Sequence, residues 1–187
     1  MDVVGLHRRA CAEFGARVKV VDADQWHAPT PCEEWDVRDL VAHLVDECRW
    51  TPELLAGRTI EEVADALAGD PLGDDPVAAW DEAVTAATAA AGAVDPERTV
   101  HLSFGDCPAR YYLTQLTADH LIHAWDLARA IGTDEVLDAE LVEEIARWFA
   151  HEEQEHYRPA GVIGDRQPVP ADAGSQARLL AAFGRRP

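Results

Sequence analysis

Apolar residues recur along this chain at helical rather than strand spacing. Val37, Leu40, Val41, Leu44 and Val45 occupy positions i, i+3, i+4, i+7 and i+8, the stripe of an amphipathic helix with one face toward a core. Asp36 precedes the stripe and Asp39 follows three residues later, close to a capping box. The helix therefore starts there and runs to about Trp50, where Pro52 ends or kinks it. Before it, the spacing predicts a first helix over residues 2–22 and a Pro-broken linker, "DADQWHAPTPCEEW", over Asp22–Trp35. After it come a short helix, "TIEEVADAL", a loop holding Pro71, Gly73 and Pro76, and an alanine-rich helix over 77–93. Thr99–Asp106 is a strand-like stretch, read as one short strand or hairpin arm turning at Gly105. Pro108 suits the first turn of a long helix that reaches about Ile131 and stops at Gly132. "DAELVEEIARWFAHEEQEHY" is a further helix, Pro159–Pro170 is irregular, and "SQARLLAAF" is a short closing helix. Four substantial helices with one long crossover point to an all-α four-helix bundle with short extra helices and at most a small hairpin. The whole chain, 1–187, reads as a single domain, with the irregular segment 159–174 and the last short helix as an appendage.

One helix departs from the simple pattern. Within "LTADHLIHAWDLARA" (Leu116–Ala130) and the turn before it, Gln115, Asp119, His123 and Asp126 fall inside an arc of about 80° at helical spacing. The rest of the circumference is mostly Leu, Ile, Trp and Ala. Two readings are open: the solvated side of an otherwise buried helix, or a polar site built into a core. The arc lacks Lys, Arg and Glu, the usual residues of a solvated face. Asp119 and His123 stand one turn apart on the same face, where two side chains can converge on a single ion. A third donor has to come from elsewhere, and His43, at the edge of the apolar face in "DLVAHLVDE", is the leading candidate; the alternative for it is a structural histidine. His120 is either a rival ligand three residues from His123 or a satisfied or exposed histidine. His7 and His27 lack a partner on a helix face, His101 lies in the strand segment, and His151 and His156 belong to a glutamate-rich run that reads as surface.

Composition narrows the function. Thirty-five acidic against 16 basic residues give a formal charge of −19, which argues against nucleic acid and anionic membranes as partners. No stretch approaches the run of about 18 apolar residues that spans a bilayer, and the N-terminus lacks a signal-peptide pattern, so a soluble cytoplasmic protein is expected. Six tryptophans and an apolar content of 48% are enough for a sizeable core. The cysteines, Cys11, Cys32, Cys48 and Cys107, are far apart with no C-x-x-C pair, which points away from a disulfide framework and from a cysteine metal site. Cys32, in the linker, and Cys107, just before a helix N-terminus, are the candidates for a nucleophilic thiol, each with the alternative of an inert small residue. No G-x-S-x-G elbow or glycine-rich phosphate loop occurs. Lys19 is the sole lysine, a bias that suggests a GC-rich genome.

"TPCEEWDVRDLVAHL" and "DHLIHAWDLARAIG" together resemble the mycothiol-dependent maleylpyruvate isomerase N-terminal-domain family, part of the DinB-like group of helical metalloproteins. "FGDCPARYYL" and the tail "PVPADAGSQARLLAAFGRRP" look like its short actinobacterial members. The resemblance implies a bundle holding a divalent metal, usually zinc, with nickel a substitute in purified material. The ligands it implies are His43, Asp119 and His123; the acid is Asp here where the isomerase has Glu. Asp126 and Gln115 would then support the ligands rather than bind the metal. The implied cosubstrate is a small thiol, mycothiol, acting on an electrophile. The isomerase carries an additional C-terminal domain, so the resemblance extends to fold and metal site more than to substrate; thiol transfer or conjugation is expected rather than maleylpyruvate isomerisation itself. Two other functions compete: a non-catalytic metal-binding bundle that stabilises the fold or a homodimer, and a metal-assisted hydrolase in which Asp126 or Glu47 serves as base.

Overall fold

The computed structural model describes residues 2–152, 157 and 163–187, and among them the chain is helical apart from one hairpin. The chain divides into two compact units, Met1–Thr133 and Asp134–Pro187. The first holds α1 (Val3–Val18), α2 (Val37–Leu55), α3 (Ile60–Leu67), α4 (Pro76–Ala93), the strands β1 (Thr99–Leu102) and β2 (Gly105–Pro108), and α5 (Ala109–Ile131). α1 packs on α5 and α4, and α2 packs on α4 and α5, so these four helices form the bundle. Phe14, Leu40, Leu44, Trp80, Leu113 and Leu121 are fully buried in it. Phe14 and Trp80 lie 4.9 Å apart between ring centroids.

Local sequence sets most boundaries. The Asp36 carboxylate accepts from the Asp39 N–H at 2.9 Å, and the Asp39 carboxylate accepts from the Asp36 N–H at 3.2 Å, a complete capping box at the start of α2. Thr59 and Glu62 repeat the device at α3, and Asp75 caps α4 ahead of Pro76. α5 stops at Gly132, whose φ of 72° is the left-handed conformation that a residue with a side chain adopts only at a cost. β1 and β2 pair antiparallel with Leu102 opposite Gly105, so Gly105 opens the second arm of a hairpin rather than ending a lone strand.

Two boundaries differ from the sequence reading. α1 ends at Val18 rather than near residue 22, because Val20 and Val21 bond to carbonyls three residues back in tighter turns and Val20 is exposed, with no apolar face left to bury. Pro52 neither ends nor replaces the last turn of α2. The helix runs through it to Leu55, with Thr51 donating its hydroxyl to the Glu47 carbonyl at 2.7 Å and Leu54 and Leu55 buried beyond. Burial of those two leucines outweighs the one backbone bond that proline removes.

The second unit contains α6 (Ala139–Glu152) and α7 (Ser175–Ala182), which pack together. Asp138 accepts from the N–H groups of Glu140 and Leu141 at the start of α6. Phe149 stacks on Phe183 with centroids 3.9 Å apart. Gln176 holds the irregular segment at the start of this unit by accepting from the Leu137 N–H and donating to the Glu135 carbonyl. The sequence-predicted continuation of α6 through 153–156, and residues 159–162 of the irregular segment, lie outside the described residues. Among the described residues no helix is long and apolar enough to cross a membrane.

Removal of the α2 cap tests this account of the boundaries. Asp36→Ala is expected to lower unfolding free energy by about 1 kcal/mol in urea titration, with an unchanged m-value.

Candidate metal centre

α2 carries His43 two turns beyond its cap, and α5 carries Asp119 and His123 one turn apart. The structure brings these three together from positions 76 residues apart. Asp119 Oδ2 lies 2.9 Å from His43 Nε2, and Asp119 Oδ1 lies 3.3 Å from His123 Nε2, so one carboxylate bridges two imidazoles. The rings stand nearly perpendicular, 77° between planes with centroids 5.4 Å apart. One donor atom from each of the three residues lies within 4.8 Å of the others. On its far side His123 donates Nδ1–H to Asp126 Oδ2 at 2.9 Å, which directs Nε2 into the cluster.

Exposure decides between the two readings of the polar arc. The Asp126 side chain is 0% exposed and that of His123 is 8%, so the arc is not a solvated face. His43 and Asp119 keep 29% and 32%. The site is closed at its base and open on one side. Gln115, one turn before Asp119, is half-buried on the same helix.

The charges are tightly balanced. Burial opposes ionisation of Asp119, but the imidazoles of His43 and His123 outweigh it and hold its carboxyl well below the usual range. Burial likewise opposes a charged His123, and the Asp119 and Asp126 carboxylates overcome it, holding its pKa well above the usual imidazole value. Glu47, one turn beyond His43 on α2, is pushed upward by burial and then by the Asp119 charge.

Trp35 completes the site, and the sequence reading did not single it out. Its ring lies 4.9 Å from that of His43 and 5.7 Å from that of His123. Cys32 also reaches the site, with Sγ 3.5 Å from Asp126 Oδ2 and 4.0 Å from His123 Nδ1. Both come from the α1–α2 linker, folded back by Thr30. Its hydroxyl donates to the Trp35 carbonyl at 2.8 Å and accepts from the Cys32 N–H at 3.1 Å. The signal available in sequence was the Thr-Pro turn in "TPCEEW" immediately before the cap of α2.

The remaining candidates go elsewhere. His27 pairs with Asp36 at 2.8 Å and His101 with Asp106 at 2.7 Å, both near the surface. His151 is exposed, and His156 lies outside the described residues. Burial raises the Cys107 thiol, against the lowering its position before a helix N-terminus suggested. His7 and His120, read as lacking a partner and as satisfied or exposed, are both buried and meet edge to face with centroids 5.6 Å apart.

Two imidazoles and a carboxylate converging with one side open are the donor chemistry of a divalent, zinc-class ion in an open site, and these residues fit such an ion. The family model for the mycothiol maleylpyruvate isomerase N-terminal domain matches residues 7–128, a segment that contains all three donors. The chain belongs to that family. Two uncharacterized proteins from different strains of Mycobacterium tuberculosis are each 32% identical over 194 residues, spanning 99% of this chain and 98% of theirs. Crystal structures of a mycothiol-dependent maleylpyruvate isomerase and of a histidine-to-alanine mutant of it resemble the chain with TM-scores of 0.63 and 0.66. Their identities are 20% and 19%, and the match covers 88% of this chain and 73% of each isomerase. The fold is thus the DinB-like helical bundle of this family.

Two measurements probe the centre as described. A cation binding at His123 Nε2 must displace a proton held there by the raised pKa, so affinity should rise with pH between about pH 6 and pH 8. Calorimetric zinc titrations at both ends, in buffers of different ionisation enthalpy, should show proton release; affinity independent of pH would contradict the charge state inferred here. Asp126→Asn, which keeps the shape and removes the carboxylate behind His123, should weaken zinc binding by about 10–100-fold.

Proposed function

We propose that this protein is a divalent-metal-dependent enzyme, with zinc its first-choice ion, that activates a low-molecular-weight thiol of the mycothiol type toward a small electrophile. His43, Asp119 and His123 would hold the ion. The reaction class is thiol transfer, conjugation or thiol-assisted isomerisation. When bound, the ion would supply positive charge that lowers the pKa of a thiol approaching its open side and makes a thiolate at neutral pH. The observation that carries the reading is the three-donor cluster, buried at its Asp126 base and open on the side of His43 and Asp119.

The surrounding side chains have separable tasks. Asp126 holds Nδ1–H of His123 and fixes the tautomer that presents Nε2. Trp35 packs beside both imidazoles, its ring tilted by 39° to that of His43 and by 38° to that of His123. Burial and the Asp119 charge raise the Glu47 carboxyl pKa, which suits it to hand a proton to the electrophile after thiol addition. Family membership supports the thiol and isomerase-type chemistry, since the family takes its name from a mycothiol-using isomerase. The electrophile is not specified by these residues.

Zinc-loaded protein, a mycothiol-type thiol and a small activated alkene provide the test. Wild-type protein should accelerate thioether formation or cis–trans isomerisation. His43→Ala and His123→Ala should each lose more than the about 10–100-fold that deletion of a supporting contact costs. Zinc binding without any acceleration would leave a non-catalytic bundle as the reading. Glu47 favours a second reading, metal-assisted hydrolysis, because a half-buried carboxyl with a raised pKa beside the cluster suits a base that accepts a proton from water. Turnover of an ester or amide with no thiol present would select it.

A further inference from the structure

A second set of donor side chains lies inside the same unit, away from the open side of the first. His7 and Cys11 stand one turn apart on α1, Cys48 projects from α2 and His120 from α5. Their exposures are 0%, 2%, 1% and 0%, so the cluster is sealed. Cys11 Sγ lies 3.7 Å from His7 Nε2, and Cys48 Sγ lies 3.5 Å from His120 Nε2. Cys48 joins the group through His120. One donor atom from each of His7, Cys11 and His120 lies within 4.8 Å of the others. The Phe14 and Trp80 rings pack around His120, with centroids 6.3 and 5.8 Å away.

Four such side chains in a bundle core call for an explanation, because leucine or phenylalanine would fill the space without polar atoms to desolvate. Thiol–imidazole hydrogen bonds are weak compensation for that cost. The spacing matches another arrangement better. Zinc bonds of about 2.3 Å to sulfur and about 2.0–2.1 Å to nitrogen at tetrahedral angles put sulfur and nitrogen ligands about 3.5 Å apart. The Cys48 Sγ–His120 Nε2 separation, 3.5 Å, sits at that edge length, and Cys11 Sγ lies slightly beyond it, 3.7 Å from His7 Nε2 and 3.9 Å from Nδ1. His120 is also oriented as a ligand. Its Nδ1–H donates to the Leu116 carbonyl at 2.7 Å, which leaves the Nε2 lone pair directed at the sulfur cluster. His7 is kept neutral, its pKa pushed down to about 3 by burial and by His120.

We propose that His7, Cys11, Cys48 and His120 form a second metal site, a closed two-cysteine, two-histidine centre that takes a thiophilic divalent cation of the zinc class and ties α1, α2 and α5 together. On binding, Cys11 and Cys48 each lose a thiol proton to solvent, the two imidazoles contribute lone pairs, and nothing is oxidised or reduced. The product carries no net charge: two positive charges on the ion, two negative on sulfur. That suits a site sealed from water, where an unbalanced charge would be costly. Four protein ligands leave no vacant position, so the role is structural. Because all four residues are sealed, the ion is taken up as the chain folds rather than by diffusion into the finished bundle.

The test uses full-length protein expressed in cobalt-supplemented medium, so that the ion is present during folding. Cobalt bound to cysteine sulfur gives a thiolate-to-metal charge-transfer absorption in the near ultraviolet; a site built from His43, Asp119 and His123 contains no sulfur and gives none. Wild-type protein should show the band, and elemental analysis should find about two ions per chain when both sites fill. Cys11→Ser combined with Cys48→Ser should lose the band and one ion, while Cys107→Ser keeps both. His43→Ala should lose one ion and keep the band. A band with a single ion in wild-type protein would support this site and count against the open one. Wild-type protein without the band, its Cys11 and Cys48 recovered as free thiols or as a disulfide, would overturn the proposal, whether or not the serine variants fold.

Discussion

One carboxylate, that of Asp119, holds α2 against α5 at the functional end of the bundle. It sits between two imidazoles from different helices, 2.9 Å from one and 3.3 Å from the other. Each partner is energetically committed to the others. A buried, charged His123 without Asp119 and Asp126 would be an uncompensated charge in a poorly solvating medium. The geometry is over-determined for that reason: His123 is held at both ring nitrogens, and Trp35 packs against both rings.

The same helix face explains why the site is asymmetric. At its base, Asp126 is wholly buried and its carboxylate is occupied by His123 and Cys32. At its mouth, His43 and Asp119 retain about a third of their exposure. A cation there would be gripped from the protein side and approached from the solvent side, the arrangement that separates reactive metal centres from structural ones. The linker before α2 matters as much as the helices. By folding Cys32 and Trp35 back over α5 it supplies the wall that the four helices alone leave open.

The two polar clusters are complementary in chemistry. With a divalent ion bound as proposed, the open one would offer it the single negative charge of Asp119 and leave residual positive charge for an incoming anion such as a thiolate. The sealed one offers two sulfurs and can reach neutrality unaided. They are adjacent along α5, since Asp119 faces the first and His120 the second. A rotation of about 100° per residue turns neighbouring side chains toward different helices of the bundle. Whatever fixes His120 in the core therefore also fixes the direction in which Asp119 points.

Local sequence carried what local physics controls. The capping box at Asp36 and Asp39, the glycine stop at Gly132, the amphipathic stripe of α2 and the pairing of Asp119 with His123 depend on residues no more than eight apart, and they read directly from spacing. The edge of the α2 apolar face made His43 the leading third donor, and the family motifs point to the same residue. Folding decided the rest. Nothing in periodicity tells whether a polar arc will be covered; the burial of Asp126 depends on a linker residue 94 positions away in the chain. His7 and Cys11 stand one turn apart, but nothing in sequence spacing marks Cys48 and His120 as their neighbours, because three helices have to pack before these side chains meet. Pro52 illustrates the same limit in reverse: the proline signal to stop was overridden by leucines that only the packed bundle could bury. The chain's own sequence determined the helices, their caps and the Asp119–His123 pairing, since those rest on short-range hydrogen bonds and side-chain periodicity. Tertiary packing alone decided which polar groups left water and what they met there, because desolvation depends on neighbours distant along the chain.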